Sequence, residues 1–242
     1  MSYEHCVTGA VHSGTPAGSV ITIGDREAYV TGSNKENALL YITDVFGYEY
    51  NNHRLLADTY AKEIPATVYV GDFLEETAFS KLTPEERNFP TFAAQNTTEK
   101  RFPQMLAMAE HLRSQYKRVF VIGYCWGAWG GCMLAAKPGL IDGLSLNHPS
   151  RLEIPGDLER LLAPTLIVAP YTDRAFPQES RLIAEKIFDE KAKKEKKFFK
   201  ITVYPGFDHG FAARAQIEDE FTKDAVEDAK TESVNFFRKL LK

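Results

Sequence analysis

The chain reads as an α/β fold: a mostly parallel central sheet, flanked by helices on both faces and opened by a β-hairpin. Three observations predict it. Short apolar, β-branched runs alternate with helix-patterned segments, which calls for parallel strands joined by right-handed crossovers. Residues 38–43, Ala-Leu-Leu-Tyr-Ile-Thr, are apolar without alternation, as suits a strand buried on both faces. Residues 121–127, Val-Ile-Gly-Tyr-Cys-Trp-Gly, carry the Gly-X-Cys-X-Gly spacing of a sharp strand-to-helix bend.

Taken in order, residues 19–24 and 27–31 form the hairpin, turning at Gly24-Asp25-Arg26. The strand at 38–43 precedes a helix over 51–63 and a further strand over 66–70. Residues 71–98 have no clear period, include the helix-start signal Thr83-Pro84-Glu85-Glu86, and read as a lid-like excursion over the sheet edge. A helix over 99–115 leads into the strand at 118–122 and the bend, and a helix over 128–136 follows. Strands are expected at 143–146, 165–169 and 198–204, with helices over 178–191 and 219–242.

With 242 residues, 44% of them apolar, the whole chain, 1–242, suits one domain with a substantial core. Net charge is −4, and the one cationic run, residues 191–197, reads as a solvated helix end, so no nucleic-acid partner is expected. No apolar leader segment opens the chain, and no stretch approaches eighteen apolar residues. No membrane association is therefore expected, and the location expected is cytoplasmic. Three cysteines without paired spacing, Cys6, Cys125 and Cys132, argue against a disulfide framework or a zinc site. Cys132 falls two helical turns beyond Cys125, roughly 10 Å away at 1.5 Å per residue, and reads as a small buried hydrophobe. Neither a dinucleotide fingerprint nor a Walker loop is present, so no cofactor and no metal are expected.

The bend puts Cys125 where a hydrolase carries its nucleophile. A thiol with an ordinary pKa near 8.5 needs a base or a cationic partner at neutral pH. An acid and then a histidine should follow in chain order, each after a strand. Asp173, after the strand at 165–169, and His209, after that at 198–204, meet the requirement. Loops at the carboxyl ends of parallel strands converge on one crevice. Cys125 would attack an acyl carbon, His209 would take its proton and later activate water, and Asp173 would orient the ring. Asp208 competes for the acid role, but it adjoins His209 and its side chain should point elsewhere. The Trp126 N–H should supply one oxyanion donor, and the turn after residues 38–43 the other. His148 also follows a strand and reads as pocket lining. His5, His12, His53 and His111 read as surface residues.

Gly123-Tyr124-Cys125-Trp126-Gly127, the Asp173 loop and His209-Gly210-Phe211 together resemble the dienelactone hydrolase family of α/β-hydrolases. The likeness runs from about Cys6 to Lys242. Gly14-Thr15-Pro16-Ala17-Gly18 and Thr43-Asp44-Val45-Phe46-Gly47 resemble its fungal branch in particular. The resemblance implies the α/β-hydrolase fold and a carboxylic-ester hydrolase activity. It implies that Val45 supplies the second oxyanion N–H. Bacterial members carry a glutamate at the position of Asp44, where it holds the resting thiol neutral. Asp44 is thus a thiol-switch carboxylate or, being shorter, a brace for the oxyanion loop. Members that take dienelactone bind its carboxylate with arginines, for which Arg214 and, more weakly, Arg87 stand nearest.

Phe46, Tyr48, Trp126, Trp129, Phe176, Phe207 and Phe211 crowd the expected site and suggest an aromatic-lined pocket, with Phe46 and Phe211 partly core. Because a thiolate is itself a good leaving group, enol lactones, activated esters and thioesters suit it, and ordinary amides do not. The leading expectation is a cofactor-free cysteine hydrolase, monomeric or homodimeric, acting on a small-molecule lactone or ester. Two alternatives stay open: acyl transfer or cyclisation at the same site in natural-product biosynthesis, and a non-catalytic redox-sensing or binding scaffold.

Overall fold

The computed structural model describes residues 8–242; Cys6 and His5 lie outside the described residues. Among these residues the strands are β1 Ser19–Ile23, β2 Arg26–Thr31, β3 Asn37–Ile42, β4 Thr67–Gly71, β5 Arg118–Tyr124, β6 Gly143–Asn147, β7 Thr165–Thr172 and β8 Phe199–Asp208. They form one sheet in the order β1-β2-β4-β3-β5-β6-β7-β8. The β1–β2 and β2–β4 pairings are antiparallel and the rest are parallel. The mostly parallel sheet with its opening hairpin is thus as the sequence pattern implies.

Alternation along the central strands divides the core in two. Ala38, Leu40 and Ile42 of β3, with Val119 and Val121 of β5, face one side. There they pack with helices α3 Thr98–Gln115, α4 Gly127–Ala135 and α6 Gln178–Glu195. Leu39, Tyr41, Phe120 and Ile122 face the other, against α1 Asn51–Glu63 and α8 Glu220–Leu240. Successive strand residues point to opposite faces, so a run apolar at every position needs cover on both. Every residue of β3 is buried, which is why its sequence does not alternate. At the start of α8, Asp219 accepts the Thr222 N–H at 2.9 Å, an N-cap that opens the helix after a polar loop.

The excursion holds two single turns of 3₁₀ helix, Glu75–Thr77 and Phe79–Lys81, and a short helix α2, Phe89–Gln95, capped by the Asn88 side chain. Its apolar side chains turn towards the elbow. Phe79 meets the Phe46 ring and Phe92 meets Trp126, each edge-on at about 6 Å. The Phe79 N–H donates to the Val45 carbonyl at 2.9 Å, tying the segment to the loop after β3. Two short helices, α5 Gly156–Glu159 and α7 Phe211–Arg214, complete the described elements. No helix among the described residues is long and apolar enough to cross a membrane.

Candidate active site

Cys125 sits just past β5 with φ +48°, a left-handed conformation that costs a non-glycine residue roughly 1–3 kcal/mol. Close packing on either side enforces the bend. A Cβ on Gly123 would come 2.7 Å from the Gly127 carbonyl oxygen, and one on Gly127 would run into the Ile42 carbonyl and lie 2.7 Å from that of Thr43. Backbone hydrogen bonds then fasten the elbow to the loop after β6. The Cys125 N–H donates to Asn147 O at 3.0 Å, and Ser150 N–H donates to Cys125 O at 3.1 Å.

β7 and β8 bring the acid and the imidazole to this point. Across a register shift Thr172 pairs with Asp208, so Asp173 and His209 are each the next residue beyond a paired couple. His209 Nδ1 lies 2.8 Å from Asp173 Oδ2, and His209 Nε2 lies 3.0 Å from Cys125 Sγ. Asp173 Oδ1 meanwhile accepts the Ala175 N–H at 2.8 Å, which fixes the carboxylate plane. Asp208 is exposed and borders an open cavity, away from this chain of bonds. Burial opposes a charge on His209, but the Cys125 sulfur and the Asp173 carboxylate outweigh it and push the ring up to about 10.

Register also aligns the two expected oxyanion donors. Ile42 stands opposite Gly123 on the adjacent parallel strand, and Val45 and Trp126 each lie three residues beyond that pair. Among the described residues, neither backbone N–H donates to a protein acceptor. Asp44, between them in the loop, is wholly buried. Its Oδ1 takes the Phe46 N–H and faces His53 Nε2, both at 2.8 Å, and its Oδ2 lies 2.6 Å from Arg214 Nε. Both oxygens are therefore engaged within the loop and its supports. Of the two roles expected of Asp44, thiol switch and loop brace, these contacts favour the brace. Burial favours the neutral carboxyl, yet His53 and Arg214 hold Asp44 well below the usual carboxylate range.

Other residues depart from expectation. His53 is not on the surface: it is fully buried on α1, and its Nδ1 lies 2.8 Å from the Tyr41 hydroxyl. Arg214 is buried against Asp44, and the Arg214 and Arg87 guanidiniums both lie about 5 Å from the centre of the Phe46 ring. The aromatic pocket is mostly packing. Phe46 packs at a tilt against Tyr50, Tyr48 reaches the Glu27 carboxylate, Trp129 packs edge-on against Trp126, and Phe176 is buried. Large aromatics at this density fill a core before they line a cavity. A cavity of about 520 Å³ does open beside His209, bordered by Phe207, Phe211, Arg214, Gln216 and Phe221. Of the expected pocket residues only Phe207, Phe211 and Arg214 reach it, and His148 does not. Cys125 is not on its wall and is 1% exposed.

Ser150 went unforeseen. Its hydroxyl lies 3.7 Å from Cys125 Sγ, on the loop that leaves the carboxyl end of β6. That loop position is the signal that could have singled it out, since β6 neighbours the strand that leads to Cys125. No cluster of metal-ligating side chains occurs among the described residues.

Known proteins give this geometry its context. The chain is 25% identical to a Talaromyces stipitatus protein named hydrolase tropI, over all of this chain and 97% of the relative. It is 28% identical to a Gibberella moniliformis protein named dienlactone hydrolase 1, over 89% of this chain and 85% of the relative. A solved dienelactone hydrolase from Anabaena variabilis shares the fold, with a TM-score of 0.63 at 12% identity over 94% of this chain and 99% of the other. The profile of the dienelactone hydrolase family matches residues 27–241. With nearly the whole sheet inside that match, the chain belongs to the dienelactone hydrolase family and is a carboxylic-ester hydrolase.

Proposed function

We propose that the protein is a cysteine hydrolase that opens lactones or cleaves activated esters through a Cys125–His209–Asp173 triad. The observation that carries this is the continuous chain of polar contacts from Asp173 Oδ2 through both nitrogens of His209 to Cys125 Sγ, at 2.8 and 3.0 Å. The raised pKa of His209 supports a resting thiolate–imidazolium pair.

In acylation the Cys125 thiolate bonds to the carbonyl carbon. The oxyanion takes the free N–H groups of Val45 and Trp126. On collapse the carbon–oxygen bond breaks, and His209 gives its proton to the departing oxygen. Water then attacks the thioester, His209 takes a water proton, and sulfur leaves with the electron pair of the carbon–sulfur bond. Sulfur competes with the alcohol as leaving group in the first intermediate, which favours enolates and other stabilised alkoxides. The aromatic wall of Phe207, Phe211 and Phe221 beside His209 supports an apolar or aromatic substrate part there. Because Cys125 is almost wholly buried, the reading also requires the covering segment, whose Phe79 and Phe92 pack on Phe46 and Trp126, to shift as substrate arrives.

The test is turnover of p-nitrophenyl acetate with Cys125→Ala measured alongside. Loss of activity together with loss of a thioester mass adduct is the expected result. Unaltered turnover in the variant would remove Cys125 from the mechanism.

A further inference from the structure

The loop after β6 holds a buried base that the triad does not use. His148 is wholly excluded from solvent, and neither ring nitrogen has a protein hydrogen-bond partner among the described residues. Its backbone is also strained, at φ +38°. Leaving a polar group buried and unpaired is costly, and so is a left-handed backbone at a residue with a side chain. The surrounding structure sustains both. The His148 N–H donates to Val168 O at 2.8 Å, Pro149 follows, and two residues on Ser150 is laced to Cys125.

The ring packs against the site. Its centroid lies 5.1 Å from that of His209, with the planes at 74°, and Tyr124 and Phe211 close its other sides at 5.6 and 6.3 Å. Burial and the charge of His209 hold the His148 ring well below its ordinary pKa, so it stays neutral. A neutral imidazole offers one donor and one acceptor. An ester carbonyl can satisfy only the donor, whereas a water molecule satisfies both. Hydrolysis needs such a water in a place that bulk solvent does not reach, as the exposure of Cys125 shows.

We propose that His148 is a positioning residue for deacylation: its ring nitrogens and His209 together hold the attacking water at the edge the two rings share, beside the thioester. This rests on the thiol mechanism proposed above. The water oxygen bonds to the acyl carbon, one of its protons passes to His209 Nε2, and the carbon–sulfur bond releases thiolate. His148 keeps its own proton throughout and fixes the direction of attack. Misplacing a reacting group by about 1 Å costs on the order of 100-fold, which sets the size of the effect.

The experiment separates the two half-reactions. Rapid-quench mass spectrometry of Cys125 with p-nitrophenyl acetate gives the acylation and deacylation rates for the native protein, His148→Phe and His148→Asn. Phenylalanine keeps a ring without nitrogens, and asparagine keeps a donor and an acceptor and tolerates the left-handed backbone. In His148→Phe, acylation should stay within about threefold while deacylation falls roughly 30- to 100-fold, so that the acyl-enzyme accumulates. Hydroxylamine, a nucleophile that needs no water site, should restore turnover, and His148→Asn should recover part of the loss. Equal slowing of both half-reactions, or of neither, would overturn the proposal, as would a deacylation defect that hydroxylamine does not relieve. If the phenylalanine variant does not fold, unaltered partition in the asparagine variant together with unaltered hydroxylamine sensitivity overturns it. Absence of any Cys125 adduct in the native protein would instead sink the thiol mechanism, a result readily told apart from the others.

Discussion

His53 Nε2 lies 2.8 Å from Asp44 Oδ1, and neither side chain is exposed to solvent. One belongs to α1 and the other to the loop that carries Val45, so this contact couples a helix face to the proposed oxyanion donor. Tyr41 extends the line from inside β3, with its hydroxyl 2.8 Å from His53 Nδ1. A histidine that bonds through both nitrogens in a dry site fixes the orientation of whatever it touches. The structure thus holds a second His–carboxylate contact, between His53 and Asp44, beside that of His209 with Asp173.

Replacing that ring tests the coupling. His53→Leu should cost about 1–3 kcal/mol of stability, because it leaves Tyr41 and one Asp44 oxygen buried with fewer partners. Turnover should fall more than the stability loss alone explains, since the Val45 N–H loses its support. Urea unfolding and kcat on the same ester read the two effects. A destabilised protein with undiminished kcat would show that the loop holds itself.

The His209 ring gives a pH signature with a definite sign. Its folded pKa is raised to about 10, so the favourable pairing is fully present below the unfolded value near 6.5 and fades as pH rises through about 10. Nitrogen-15 NMR should find both ring nitrogens protonated at pH 8. In Cys125→Ala, which removes a leading cause of the upward shift, the same ring should titrate at lower pH. An unchanged titration in the variant would mean that sulfur carries no charge in the resting protein.

Asp44 behaves in the opposite sense. His53 and Arg214 depress its folded pKa against the effect of burial, so its contribution is present above the ordinary carboxyl value near 3.9 and is lost as pH falls below it. Arg214→Met removes one of the two stabilising partners. The acid-unfolding midpoint of that variant, followed by circular dichroism, should move to higher pH. An unmoved midpoint would show that His53 alone holds the carboxylate charged.

What was legible in the sequence followed local pattern. The helix over residues 51–63 has the bounds its composition predicts, and the bend at Cys125 was readable because two glycines and a strand flank it. Asp173 and His209 could be singled out because each follows an apolar run, and parallel strands deliver their ends to one edge. The end of β8 was missed. It continues to Asp208 past Pro205 and Gly206 because Thr172 pairs with it across a bulge, a partner that only the fold supplies. His53 was illegible for the same reason: its local context is ordinary, and the Asp44 it contacts lies 9 residues away. The aromatic pocket failed on a different ground: composition counts rings but cannot say whether they face a cavity or one another. Phe46, Phe79, Phe92, Trp126 and Trp129 face one another.

Gly127 gives the sharpest steric test of how the elbow is held. A methyl there would strike the Ile42 carbonyl and lie 2.7 Å from the Thr43 carbonyl oxygen, both of them backbone atoms at the end of a central strand that cannot yield as a side-chain tip would. Relief requires α4 to move away from β3, and that motion pulls Trp126 from its level with Val45. Gly127→Ala should therefore cost about 1–3 kcal/mol or somewhat more, and should lower kcat by at least tenfold in the protein that remains folded. Gly139→Ala is the control. Its φ is positive, at +71°, unlike that of Gly127, but nothing lies within 4 Å of an added Cβ, so it should cost about 1 kcal/mol and leave kcat alone. Thermal unfolding and turnover of both variants settle the matter: equal kcat in the two would mean that contact between α4 and β3 does not set the oxyanion geometry.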